Sequence, residues 1–168
     1  MTEARDAVLE SELLEMIPQL RAYARALTRD RNDADDLLQE TLMKALAHIG
    51  SFQRGTSLRA WLFTIMRNTF FTNLKKRRRE APGAEDCVSG LLSVEADHER
   101  HESSRDMMAA IQRLPVHYRE ILILVVMLGE SYERAAEICC CAVGTVKSRL
   151  NRARRIIMEE LGPETLES

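Results

Sequence analysis

The stretch 132–157, Y-E-R-A-A-E-I-C-C-C-A-V-G-T-V-K-S-R-L-N-R-A-R-R-I-I, decides the fold of the chain's second half. It reads as two short helices around a tight turn. At 100° per residue, Val146, Leu150, Ala153 and Ile157 form one apolar stripe of the second helix. Lys147, Ser148, Asn151, Arg152 and Arg155 fall on the opposite half. A helix that packs through small and branched residues and turns Lys, Ser, Asn and Arg outward suits the DNA major groove. Basic helices are also often plain solvated faces, so the reading gains weight only from a second such segment upstream.

That segment is the helix expected over 58–76. Leu58, Trp61, Leu62, Ile65, Met66 and Thr69 share a core side, while Thr64, Asn68, Phe71 and Lys75 form a separate stripe at i, i+4, i+7 and i+11. An amide, a ring and a cation on one face suit single-stranded nucleic acid, where bases stack and phosphates follow the positive charge. An amphipathic helix with exposed aromatics ahead of a solvated charge run is the alternative from this helix alone. Five of the eight aromatics lie between Phe52 and Phe71, just before K-K-R-R-R.

Charge is segregated along the chain. The net charge of −2 conceals six basic residues and no acid from Arg67 to Arg79, and five and none from Lys147 to Arg155. Glu80 to Asp106 holds eight acids against Arg100 and Arg105. Two basic blocks around an acidic connector predict two contacts with a polyanion. An apolar fraction of 45% over 168 residues excludes a disordered chain.

The pattern predicts an all-α fold of two small helical domains, residues 10–80 and 106–161, joined by a flexible acidic linker, 81–105. In the first domain, Ile17, Leu20, Tyr23, Ala24 and Leu27 recur at helical spacing. Asn32 is the expected N-cap of the next helix, Leu38, Leu42, Ala45, Leu46 and Ile49 its stripe, and Gly50 its end. Asp36, Gln39, Glu40 and Met43 share an exposed acidic side that suits solvent or a protein partner rather than DNA. Ser57 caps the long helix. The linker, with Pro82, Gly83 and Gly90, has room for a helical turn at Leu91, Leu92 and Val94. Helical pattern resumes at Asp106. Pro115 restarts a helix whose buried core is 121–128, Gly129 stops it, Ser131 caps the next, and Gly162-Pro163 closes the last.

Cysteine usage favours a reducing compartment, and M-T-E-A-R-D-A-V has no signal-peptide layout, so a cytoplasmic protein is expected. No apolar run is long enough for a membrane span. Cys139, Cys140 and Cys141 are consecutive, point 100° apart and cannot close a tetrahedral zinc site. They read as small apolar residues at a helix end. His98 and His101 have ligand spacing but sit among charges in the linker, so no metal and no cofactor is expected. No Gly-rich phosphate loop, apolar carboxylate pair or nucleophile elbow points to an enzyme.

The segments D-A-D-D-L-L-Q-E-T-L-M-K-A (33–45), F-Q-R-G-T-S-L-R-A-W-L-F-T-I-M-R-N-T (52–69), L-P-V-H-Y-R-E-I-L-I-L (114–124), S-Y-E-R-A-A-E-I (131–138) and V-G-T-V-K-S-R-L-N-R-A-R (143–154) resemble bacterial sigma factors of the extracytoplasmic-function group. Such factors reduce to two helical domains, region 2 and region 4, joined by a linker. The resemblance implies core RNA polymerase as a partner, through its clamp and flap regions, with Asp36, Gln39 and Glu40 on the clamp helices. It implies that Gln53, Arg54, Gly55, Thr56, Ser57 and Asn68 engage the −10 element of promoter DNA as the duplex opens, and Thr64, Phe71 and Lys75, on the stripe of Asn68, are expected to join them. It assigns the −35 element to Lys147, Ser148, Asn151 and Arg152, with Arg149 on a phosphate, and Thr145 and Arg155 of the same helix are expected to join them.

Within the group, I-G-S-F-Q-R-G-T-S-L-R-A-W-L-F-T-I-M-R-N is similar to factors of the general stress response, held by a small helical anti-sigma protein. One departure lies in the turn, where Cys140 stands at a position the family usually gives to Gly. A non-Gly residue in a left-handed conformation there costs about 1 kcal/mol. Two other readings stay open: a sigma-like decoy that binds only an anti-sigma protein, and a helix-turn-helix repressor of duplex operators. A linker of about 25 residues spans up to roughly 80 Å extended, so both promoter elements could be held without the domains touching.

Overall fold

A computed structural model describes residues 2–81 and 102–162. Most of the linker, with Cys87, His98, His101 and the turn expected at 91–94, lies outside them. Every regular element among the described residues is helical. The N-terminal unit holds α1 (Thr2–Glu15), α2 (Ile17–Thr28), α3 (Arg31–Ala47) and α4 (Leu58–Glu80). The C-terminal unit holds α5 (Glu102–Arg113), α6 (Val116–Leu122), α7 (Tyr132–Cys139) and α8 (Val143–Leu161).

The caps explain the boundaries. Asp30, not Asn32, caps α3: its backbone is extended and its Oδ2 accepts from the Asp33 N–H at 3.1 Å. Asn32 already lies inside the first turn. α3 stops at Ala47, and a 3-10 turn, Ile49–Ser51, contains Gly50. Ser57 caps α4 and Ser131 caps α7, each accepting from the N–H three residues on. α4 runs past Lys76 to Glu80 and so carries the whole basic tract, and α5 begins at Glu102, ahead of Asp106. Cys140 is left-handed at φ 51°, and Cys141 N–H reaches the Ala136 carbonyl at 3.0 Å. That bond, with Cys140 N–H on Glu137, makes a Schellman-type helix end.

The N-terminal core is built on Leu20, Tyr23, Leu27, Leu62, Phe63 and Met66, all fully buried. Phe63, outside the stripe expected from the wheel, packs its ring 5.1 Å from that of Tyr23, and Leu58, Trp61 and Ile65 are only half-buried. On α3, Leu37 is buried while Leu46 is exposed. Val146, Leu150, Ala153 and Ile157 are buried as the periodicity requires.

The apolar block 121–128 is not buried throughout. Ile121 to Leu124 are buried, but Val126 and Met127 are half-exposed. The helix widens to a π turn over Ile123–Met127, with Leu128 N–H bonding the Ile123 carbonyl at 2.9 Å. One extra residue per turn rotates the succeeding side chains by about 100°, which turns Val126 and Met127 outward.

The two units touch, which the reach of the linker did not require. α2 packs on α6 and α4 packs on α7. Arg119 sits at the centre, with 3% of its surface exposed. Its guanidinium donates to the Ala26 carbonyl, to Leu27 at 3.0 Å, and to Gln112 and Leu114 at 3.1 and 2.8 Å. Carbonyls left over at the C-terminal ends of α2 and α5 thus share one cation, where the helix dipole favours it. Burial, with Arg29 nearby, pushes the pKa of Arg119 down to about 10, so it stays charged at neutral pH.

Candidate nucleic-acid interface

On α8, the side opposite the buried stripe is open. Lys147, Ser148, Asn151, Arg152 and Arg155 are exposed. Asn151 and Arg152 have no hydrogen-bond or ion-pair partner among the described residues. Lys147 Nζ lies 5.9 Å from the centre of the Tyr132 ring, and Arg155 faces Glu159 at 3.7 Å. Ser148 bonds the Thr145 carbonyl at 3.1 Å, which orients its hydroxyl along the helix. Thr145 and Arg149 are half-buried at the margin. This face places an amide, a hydroxyl and several cations on one rigid helix.

The upstream residues are less uniform. Gln53, Arg54, Gly55 and Thr56 form an exposed loop, held by the Thr56 hydroxyl on the Gln53 carbonyl at 2.6 Å. Gly55 has φ 89°, a left-handed value that favours glycine. Ser57 uses its oxygen as the α4 cap, and Thr64 bonds the Ala60 carbonyl at 2.8 Å. Asn68 and Lys75 are exposed. Phe71 is half-buried, edge-on to Phe70 and covered by the Arg67 guanidinium 4.6 Å from its ring centre. Nothing in the local sequence marks Arg67 off from the basic tract it begins.

The acidic side of α3 is partly engaged. Asp36 and Gln39 are exposed. Glu40 bonds Lys44 at 2.8 Å and Asn73 at 2.7 Å. The Lys44 bond leads the forces that lower its pKa against the desolvation that raises it. Arg77 makes a two-pronged contact with Asp33, 3.2 Å on each arm. The face is therefore acidic at Asp36 and neutralised at its edges.

Residues 13–80 match the family described as Sigma-70 region 2, and residues 104–157 the family described as Sigma-70, region 4. The chain is 49% identical over 146 residues to the ECF RNA polymerase sigma factor EcfG of Rhodopseudomonas palustris (strain TIE-1), covering 87% of this chain and 81% of that one. The chain belongs to the ECF sigma factors. The N-terminal unit is its region 2 and the C-terminal unit its region 4.

Among solved structures, this sigma factor is similar to RpoE from Bartonella quintana, crystallised with the anti-sigma factor NepR. The identity is 42% and the TM-score 0.78, covering 93% of this chain and 98% of that one. It also resembles a chain of the PhyRSL–NepR complex from Sphingomonas sp. Fr1, at 25% identity and a TM-score of 0.65, over 90% and 88% of the two chains. Among the described residues, no group of His, Cys, Asp and Glu is arranged to hold a metal ion, and no helix is long and apolar enough to cross a membrane.

Proposed function

We propose that this sigma factor is a promoter-recognition subunit without catalysis of its own. It binds core RNA polymerase in the cytoplasm, reads the −35 element with α8 and the −10 element with the 53–57 loop and α4, and promotes melting. The observation that carries the reading is the outer face of α8, where Asn151 and Arg152 stand exposed and unpartnered above a fully buried stripe. Side chains held on a rigid helix with no internal partner are available for base edges and phosphates. Asp36 and Gln39 are the docking residues for the polymerase clamp, with Glu40 beside them.

Membership of the general-stress-response subgroup, under a small helical anti-sigma protein, is supported by the likeness to EcfG and to the RpoE crystallised with NepR. An apolar groove of about 570 Å³ between α5, the π turn and α8, lined by Met107, Met108, Met127 and Met158, is assigned to a helix of that inhibitor. Methionine-lined grooves adapt readily to an amphipathic helix. A decoy would need the docking faces alone. The exposed cations of α8 and Asn68 of α4 weigh against that reading.

Reconstituted transcription tests the proposal: purified core polymerase, this protein and a promoter library, read by sequencing the transcripts. New starts that share a pair of upstream elements are expected. Silence together with absent polymerase binding would move the weight to the decoy or to a repressor.

A further inference from the structure

The 53–57 loop has a second neighbour besides α4. A cleft of about 240 Å³ opens between this loop and the N-terminal helix α1. Val8, Leu9 and Glu12, on one turn of α1, form one wall, and Arg54, Gly55 and Thr56 form the other. None of Thr64, Asn68, Phe71 and Lys75 lines it, so the cleft is a separate place on the same surface. Leu9 and Leu13 are buried and anchor α1, while Val8 stays 58% exposed.

The lining suits one flat ring with a polar edge. Phe52, whose ring packs 5.4 Å from that of Trp61, and the half-buried Leu58 add apolar surface. At Gly55 a β-carbon would meet nothing within 4 Å, so the space over this backbone is open and a ring can approach it closely. Glu12 is exposed and makes no hydrogen bond or ion pair among the described residues. Its carboxylate is an acceptor without a donor, at the edge of a surface assigned to nucleic acid. A carboxylate repels the phosphates of a strand. It serves that surface only by accepting from a base, with Arg54 on the opposite wall offsetting its charge.

The four bases answer such a group differently. On its pairing edge guanine presents two adjacent N–H donors, at N1 and N2, which a carboxylate accepts together. Adenine and cytosine each set a ring-nitrogen acceptor beside their amine, and thymine sets its one N–H between two carbonyls. Those acceptors would face the carboxylate oxygens and repel them. In duplex DNA the pairing edge is closed by the complementary base, so only an unpaired base can use it.

We propose that this cleft is a second base subsite of region 2, which takes one unpaired guanine of the opened promoter strand and reads its pairing edge with Glu12 of α1. The subsite rests on the −10 reading proposed above for the 53–57 loop, and it extends that surface from α4 to α1. The strand leaves the α4 stripe, crosses the loop and places a neighbouring base in the cleft.

The test is the reconstituted holoenzyme on a promoter library randomised across the opened segment, with the transcripts sequenced. Wild type should prefer guanine over thymine about tenfold at one position, as a two-bond base contact gives. Glu12→Gln turns one acceptor into a donor, so adenine and cytosine should gain there at guanine's expense. Glu12→Ala should flatten the preference at that position and leave the others unchanged. Glu15→Gln, an equal change of charge at an exposed position of α1 outside the cleft, should alter nothing. Placement is read separately: p-benzoylphenylalanine introduced at Val8 should crosslink to that base in the open complex. Unchanged preferences in both Glu12 variants overturn the proposal, as does a crosslink that maps to duplex DNA or to no DNA. A shift shared by Glu15→Gln overturns it as well, since bulk charge would then be the cause. Should wild type start no transcripts, the −10 assignment itself fails and the subsite falls with it.

Discussion

Arg67 and Glu120 lie 53 positions apart and form a buried ion pair that joins region 2 to region 4. Burial pulls the Arg67 pKa down, but the hydrogen bond and charge of Glu120 outweigh it and leave it raised. Removing one partner of such a pair leaves an uncompensated buried charge, which costs about 3–5 kcal/mol if the charge stays buried. Opening of the contact to water would relieve part of that cost. Arg67→Ala should therefore lose less than that in urea unfolding, and Arg67→Ala with Glu120→Ala should lose less than the sum of the two. Additive losses would show that the two side chains do not act as a pair.

Cys140 stands at φ 51° with no β-carbon relief, in the turn between α7 and α8. Cys140→Gly should remove about 1 kcal/mol of strain, offset in part by the entropy glycine adds to the unfolded chain. For a domain of this size the net gain is an increase in Tm of about 1–3 °C. Thermal unfolding followed by circular dichroism reads it, and a lower Tm would mean that the cysteine side chain contributes contacts worth more than the strain.

The thiols of the helix end should separate by reactivity. Cys139 is buried, and burial above all, with Glu120 nearby, pushes its pKa far up, so its reactive thiolate is scarce at any working pH. Cys140 is exposed and Cys141 intermediate. In an alkylation time course mapped by mass spectrometry, Cys140 should label first and Cys139 only with unfolding. Early labelling of Cys139 would indicate that α7 leaves α4 and α8 readily.

The caps at Ser57 and Ser131, the stripe of α8 and the left-handed turn were legible because each depends on a few neighbouring residues, whereas the cap of α3 fell on Asp30 and not on Asn32. Ser131, Val146 and Cys140 carry their own local reasons. The contact between regions was not legible. Arg119 and Glu120 look like an ordinary charged pair on a helix, and their burial depends on carbonyls and an arginine far away in sequence. The π turn was hidden for a related reason: an unbroken run from Ile121 to Leu128 has no periodicity to reveal a change of winding. In α4, the burial of Phe63 was hidden because the second region packs against the helix, where its Glu120 and Glu130 engage Arg67 and Arg59 on either side of that ring. For the candidate site, the exposure of Asn68 and of the outer face of α8 was legible from spacing, whereas the cover that Arg67 places over Phe71 was not.

Leu150 is the most direct test of how the reading face of α8 is held, being 1% exposed in the midst of the buried stripe. Leu150→Ala should cost about 2–5 kcal/mol of stability, the range for truncating a fully buried leucine. Duplex affinity measured well below the lowered Tm should change little. A large loss of affinity in protein that is still folded would mean that α8 shifts on its support.

Arg152 and Lys147 separate sequence reading from charge attraction on that face. If Arg152 reaches a base edge, Arg152→Ala should cost about 1–3 kcal/mol on the selected −35 sequence and much less on scrambled DNA. Lys147 lies beside Tyr132 at the start of the face. As a phosphate contact, Lys147→Ala should weaken both duplexes alike and reduce the salt slope of log K by about one. Fluorescence anisotropy on the two duplexes over a salt series, with the polymerase holoenzyme, measures both effects together. If Arg152→Ala lowers binding to both duplexes equally, Arg152 is a phosphate anchor, and base reading passes to Asn151 and Ser148, its exposed neighbours on the same face.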